Sequence, residues 1–172
     1  MSKNSVGPVT DWMHKRDFPA VQRLDEENNA WEGWSQQQFI TRLREKNVIG
    51  MVSKVADVVG AFVVYEYRDK EMLLLKFETA KALVSSRIPH VLVAELKRKA
   101  VKYKKNLVVV FPEARESIEK YQFFAKEGFK SKLKRNFFTF QSEIRTDGYE
   151  FTWNFEENDN FASDFEKIEA GQ

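Results

Sequence analysis

Apolar positions along the chain change period several times, and each change marks an element. The run Val9 to His14 predicts a first strand. Asp17 is then placed to cap a helix that has Pro19 in its first turn and Ala20, Val21 and Leu24 on its apolar face, and that reaches about Asn28. Ser35 and Gln38 have the spacing of a capping box, and Phe39, Ile40 and Leu43 follow at helical intervals, so a second helix is expected up to about Asn47. Three strand-type runs come next: Val48 to Lys54, Val58 to Arg68 and Glu71 to Thr79. Polar breaks at Ala56-Asp57 and Asp69-Lys70 separate them and make them antiparallel neighbours.

From Pro89 the period lengthens to that of a helix, with Leu92, Val93, Leu96 and Ala100 on the inward face. Glu95, Arg98, Lys99 and Lys102 fall on the outward face, and the helix is expected to close near Asn106. Leu107 to Phe111 is continuously apolar, as a strand buried on both faces is, and a helix crossing back makes it parallel to the strand before. A fourth helix is expected from about Ser117 to Glu127, with Gly128 as the residue that ends it. Two last strands, about Lys132 to Glu143 and Tyr149 to Glu156, are expected to join through a turn at Thr146-Asp147-Gly148. The order β-α-α-β-β-β-α-β-α-β-β predicts an α/β fold with four helices. Its seven-stranded sheet is mixed, mostly antiparallel, with a splayed parallel pair at its centre.

Composition narrows the function classes. At 172 residues and 42% apolar, with 15 Phe, the chain has material for one domain over 1–156, followed by an acidic, loosely held tail over 157–172. No run of eighteen uncharged apolar residues occurs, and charged residues interrupt the first thirty positions, so a cytoplasmic protein with no membrane partner is expected. With no cysteine, and with His14 and His90 far apart, no metal site is expected. The net charge is only +2. Basic residues cluster at Lys97, Arg98, Lys99, Lys102, Lys104 and Lys105, and again at Lys130, Lys132, Lys134 and Arg135. The aromatic-interleaved basic surface typical of single-strand binders is not expected from them, so no specific nucleic-acid partner is expected, although an RNA-associated role is a distant third reading.

Several ordered segments resemble the GNAT acetyltransferase superfamily, in particular the branch that acetylates the N-terminal alanine of a small-subunit ribosomal protein (RimI-like). They are Arg16-Asp17-Phe18-Pro19-Ala20-Val21, Trp34-Ser35 through Phe39, Asn47 to Val52 with Val58-Val59-Gly60, Phe123 to Phe129, and Arg135-Asn136-Phe137-Phe138. The resemblance implies acetyl-CoA as cofactor and the N-terminus of a protein or peptide as acceptor. It also implies that backbone groups at Phe77, Glu78 and Thr79 hold the pantetheine arm, while the loop Ser85-Ser86-Arg87-Ile88-Pro89-His90 holds the pyrophosphate. Trp31 and Trp34 would flank the acceptor groove.

The same alignment departs from the family where chemistry is done. Two glycines of the pyrophosphate loop are replaced by Arg87 and Pro89, which brings a side chain into a close approach and removes one N–H donor. The family's tyrosine acid falls on Phe124 and its glutamate base on Pro112, neither of which transfers a proton. Glu113, one residue on, and Glu78 are candidate replacement bases, Glu78 otherwise being a solvent-side strand residue; Tyr121, one helical turn before Phe124, is a candidate acid. A Phe124→Tyr change would then restore the acid. Two readings follow: a degenerate relative, a pseudoenzyme that keeps a protein- or peptide-binding role, or an active N-terminal or lysine amine acetyltransferase with an atypical acetyl-CoA loop. Neither sets an oligomeric state.

Overall fold

A computed structural model describes residues 7–29, 33–112, 118–139 and 145–158. It has strands β1 (Val9–Trp12), β2 (Val48–Val55), β3 (Val58–Tyr67), β4 (Glu71–Thr79), β5 (Asn106–Pro112), β6 (Lys130–Thr139) and β7 (Arg145–Trp153). The helices are α1 (Phe18–Asn28), α2 (Gln36–Arg44), α3 (Arg87–Tyr103) and α4 (Ile118–Lys126). The strands form one sheet in the order β1-β2-β3-β4-β5-β7-β6, in which β4 and β5 are parallel. The element order and the mixed sheet agree with the sequence. The chain divides into two compact units, Met1–Tyr67 with Leu75–Leu96, and Arg68–Leu74 with Lys97–Gln172.

In the first unit, β2 and β3 form a hairpin around Ala56 and Asp57, which have φ of 49° and 66°. Left-handed φ at both positions is what a two-residue hairpin turn needs. Val21, Leu24, Phe39, Val48, Val52, Phe62 and Val64 form the buried cluster on which α1 and α2 pack. The capping box of α2 is present: the Gln38 N–H donates to Ser35 Oγ at 3.2 Å and the Ser35 N–H to Gln38 Oε1 at 2.7 Å. Asp17 departs from expectation, because its side chain makes no cap bond to α1. It accepts the His14 N–H at 2.8 Å in a short 3₁₀ turn and pairs with Lys54 Nζ at 2.7 Å. Burial opposes its ionisation, yet Lys54 and the His14 N–H together hold the Asp17 carboxyl below its ordinary value.

In the second unit, Glu71–Leu74 of β4 runs parallel to Asn106–Val109, and β7 pairs antiparallel with both β5 and β6. Phe111, Phe124, Phe129 and Phe151 are buried here, with ring centroids between 5.1 and 6.3 Å along their contacts. Gly128, at φ 86°, ends α4 as expected. The Phe129 N–H donates to the Phe124 carbonyl and the Gly128 N–H to that of Ala125, while the Phe124 and Phe129 rings touch at 5.1 Å. This is a Schellman motif with its hydrophobic contact.

Two expectations are corrected. Thr146-Asp147-Gly148 is not a turn but part of β7, where Gly148 pairs with Pro112 on one side and Lys134 on the other. The irregularity that the Asp-Gly pair signals lies across the ladder. The β6–β7 register shifts between Lys134 and Phe138, Asn136 has φ 51°, and Asp147 Oδ1 accepts the Asn136 N–H at 2.8 Å. Lys99 is buried rather than solvent-facing, at 9% exposure. Lys97, from the same basic cluster, is also buried, its ammonium donating to the Glu127 carbonyl at 2.6 Å and lying 5.6 Å from the Trp153 ring centre. Burial holds the Lys97 ammonium below its usual value, partly offset by the Glu127 carboxylate. Of the tail, Glu157 and Asn158 sit in a 3₁₀ turn and the rest lies outside the described residues.

Candidate functional site

The last five residues of β4 belong to the first unit. Side chains alternate along a strand, so Lys76 and Glu78 share one face. That face was expected to be the wet one, but Glu78 is 3% exposed. The reason is the end of α1. Asn29 Nδ2 donates to Glu78 Oε1 at 2.8 Å and to Asp25 Oδ1 at 3.0 Å, and Asp25 Oδ1 pairs with Lys76 Nζ at 3.0 Å. Asp25 Oδ2 accepts the Trp34 N–H at 2.5 Å. One step along, Asn28 Nδ2 donates to the Thr79 carbonyl at 2.9 Å.

Asp25 is fully buried and each of its oxygens is occupied, which is what a buried carboxylate requires. It therefore ties α1, β4 and the start of α2 into one polar cluster. Trp34, half-buried, packs edge-on against Phe39 at 5.1 Å and has the Lys76 ammonium 5.2 Å from its ring centre. It serves as a core lid here, and Trp31 lies outside the described residues. Phe77, on the opposite face of β4, is buried.

The loop before α3 lies in the same unit. Ser85, Ser86, Arg87 and His90 are exposed, while Ile88 and Pro89 are buried. Ser86 Oγ accepts the Ile88 N–H at 3.3 Å and donates to the Leu83 carbonyl at 2.6 Å. Of the first N–H groups of α3, one is thus satisfied within the chain and one is missing at Pro89. The loop is pressed against β3 at Gly60, where an added Cβ would meet Leu83 Cδ1 at 3.0 Å and Ile88 Cδ1 at 3.1 Å. Gly60 there permits a close approach that a side chain would obstruct.

Pro112, Tyr121 and Phe124 belong to the second unit. Phe124 is 1% exposed and enclosed by Phe111, Phe123, Phe129 and Phe151. A hydroxyl added to it enters apolar packing. Pro112 ends β5 opposite Gly148. Tyr121 is exposed, with its hydroxyl 3.2 Å from Ser131 Oγ and its ring edge-on to Tyr149 and Phe151. Glu113 lies outside the described residues. Among the described residues no group of three acidic or histidine side chains is arranged to hold a metal. None of their helices is long and apolar enough to cross a membrane.

Asp25, Asn28, Asn29 and Lys76 belong to no motif that the sequence displays. A signal for the first was present, since Asp25 continues the inward face of Val21 and Leu24, where a charge needs a buried partner.

No protein-family model matches the sequence, and no curated protein does. Solved structures do match. The ribosomal-protein-S18-alanine N-acetyltransferase of Escherichia coli superposes with a TM-score of 0.69 at 14% identity, covering 85% of this chain and 92% of its own. Ard1 of Thermoplasma volcanium gives 0.71 at 18% identity, covering 86% and 97%. The chain has the GNAT fold. A third GNAT structure, an acetyltransferase of Elizabethkingia anophelis with acetyl-CoA bound, gives 0.66 at 15% identity over 88% and 99%. Polar groups of the loop before α3 and of the end of β4 are engaged within the chain, by Ser86, Asn28 and Asn29.

Proposed function

We propose that this GNAT-fold chain is a pseudoenzyme: it has given up tight use of acetyl-CoA and keeps a protein- or peptide-binding role. The observation that carries this reading is the internal satisfaction of the groups a cofactor would use. The Thr79 carbonyl is held by Asn28 and the Ile88 N–H by Ser86, and the carboxylate of Glu78, the candidate replacement base, is held by Asn29. Pro89 has no N–H to offer, and Arg87 stands in place of a glycine. A hydrogen bond to a charged group is worth about 1.5–3 kcal/mol, so each donor withdrawn from a phosphate weakens binding by roughly tenfold to a hundredfold. The residues present fit acetyl-CoA poorly. Phe124, packed among four other rings, supports loss of the acid as well.

One matching GNAT structure is by name an N-acetyltransferase of a ribosomal-protein alanine, which favours a peptide or protein N-terminus as the retained ligand. The competing reading, an active amine acetyltransferase, draws on Tyr121, whose exposed hydroxyl lies one helical turn before Phe124.

Transfer of labelled acetyl groups from acetyl-CoA to peptides beginning with alanine or serine separates the two. The pseudoenzyme reading expects turnover at the level of the uncatalysed control, with Tyr121→Phe making no difference. Substantial turnover that Tyr121→Phe abolishes overturns it. Arg87→Gly with Pro89→Gly is expected to strengthen acetyl-CoA binding, because it restores an N–H and the close approach.

A further inference from the structure

Strand β6 is the terminal strand of the sheet, and no other strand pairs with its outer side among the described residues. Such an edge presents every second N–H and C=O outward, and proteins normally blunt it. Here Lys130, Lys132 and Lys134 alternate along one face of the strand. Lys130 is held by Glu157 at 2.8 Å and Lys134 by Glu150 at 3.6 Å, which leaves Lys132 exposed with no ion-pair partner among the described residues.

The other face of the strand, carrying Ser131 and Leu133, is the one on which α4 lies, as the Tyr121 to Ser131 contact establishes. Leu133 is 44% exposed, Tyr121 36% and Ile118 54%, and Ile118 stands one turn before Tyr121 on α4. The edge thus has a basic side and an apolar, aromatic side, separated by the pleat. A single added strand whose side chains alternate would meet both.

We propose that β6 is a docking edge for an extended protein segment of alternating acidic and apolar residues, in trans, which adds as an eighth strand. Its carboxylates face Lys132 and its lysine neighbours, and its apolar side chains lie on Leu133, Tyr121 and Ile118. Charge complementarity selects an acidic partner, and the apolar face selects an alternating protein strand over a nucleic acid, whose phosphates would use the lysines alone. The proposal does not depend on acetyl-CoA binding or on its loss.

The test uses the full chain and a labelled ten-residue peptide alternating glutamate with leucine or valine, read by fluorescence anisotropy. The expected dissociation constant is in the micromolar range, with at least tenfold weakening for Lys132→Glu and a several-fold weakening for Leu133→Ser. Amide exchange should slow at alternate β6 residues when peptide is added, and circular dichroism confirms that both variants are folded. A scrambled peptide of equal charge, or single-stranded RNA, that binds as tightly as the alternating peptide reduces the edge to a simple polyanion site and overturns the proposal. Absence of binding at millimolar peptide, or binding with no protection of β6, overturns it equally.

Discussion

The two compact units differ in the balance of charge and rings that each buries. The first unit buries charge: Asp25 with Lys76, and Asp17 with Lys54. The second also buries a pair, Lys97 with Glu127, but its core is cemented by rings, with Phe111, Phe124, Phe129 and Phe151 linked through their contacts and Tyr121 and Tyr149 at their border. Ring packing tolerates neighbours of similar shape, whereas a buried ion is satisfied only by particular partners at particular places. The first unit therefore has fixed partners at the end of β4, and the second packs Phe124 among rings. Each difference supports the proposed pseudoenzyme reading separately.

The largest expected effect breaks the polar side of the comparison. Asp25→Ala takes the carboxylate from the half-buried Lys76 and frees the Trp34 N–H, so stability should fall by about 3 kcal/mol, measured by urea denaturation. A loss below about 1 kcal/mol would mean that the cluster is solvated and holds nothing in place. On the aromatic side, Phe124→Tyr places a hydroxyl among rings and should cost about 1–3 kcal/mol with no gain in turnover. Smaller again is Gly128→Ala. With φ at 86° an L-residue is strained, and about 1–2 kcal/mol of stability is expected to be lost.

The smallest effect is a pH dependence. The Asp17 carboxyl titrates lower in the folded chain than in the unfolded one, so the folded state binds fewer protons in the interval between the two values. Its contribution is complete above the unfolded value of about 4 and is lost as pH falls through the lowered one. Asp17→Asn should lower the urea midpoint near neutral pH and flatten its decline below about pH 4. An unchanged acid limb would show that other carboxylates dominate.

Where local chemistry decides, the sequence is readable. Ser35 and Gln38 cap α2 as their spacing implies, Gly128 ends α4, and Leu92, Val93, Leu96 and Ala100 are the buried face of α3. Where a distant segment decides, it is not. Glu78 reads as a wet strand residue until the end of α1 covers it, and Lys99 reads as part of an outward face although it is buried. Asp17 reads as the cap of α1, but Lys54 and His14 compete for its carboxylate. The Asp147-Gly148 pair has strong turn chemistry and yet sits inside β7, because Asp147 serves the irregular stretch of β6 opposite. The candidate site follows the same division. The loss of two glycines before α3 is visible in the letters alone, while the asparagines that engage Glu78 and Thr79 are visible only in three dimensions.

The central claim is that the groups a GNAT fold offers to acetyl-CoA are taken up within this chain. Calorimetric titration of the full chain with acetyl-CoA measures it directly. The account predicts no saturable heat, or a dissociation constant weaker than about 100 μM, equivalent to roughly 5.5 kcal/mol of binding. A dissociation constant in the low micromolar range would contradict it.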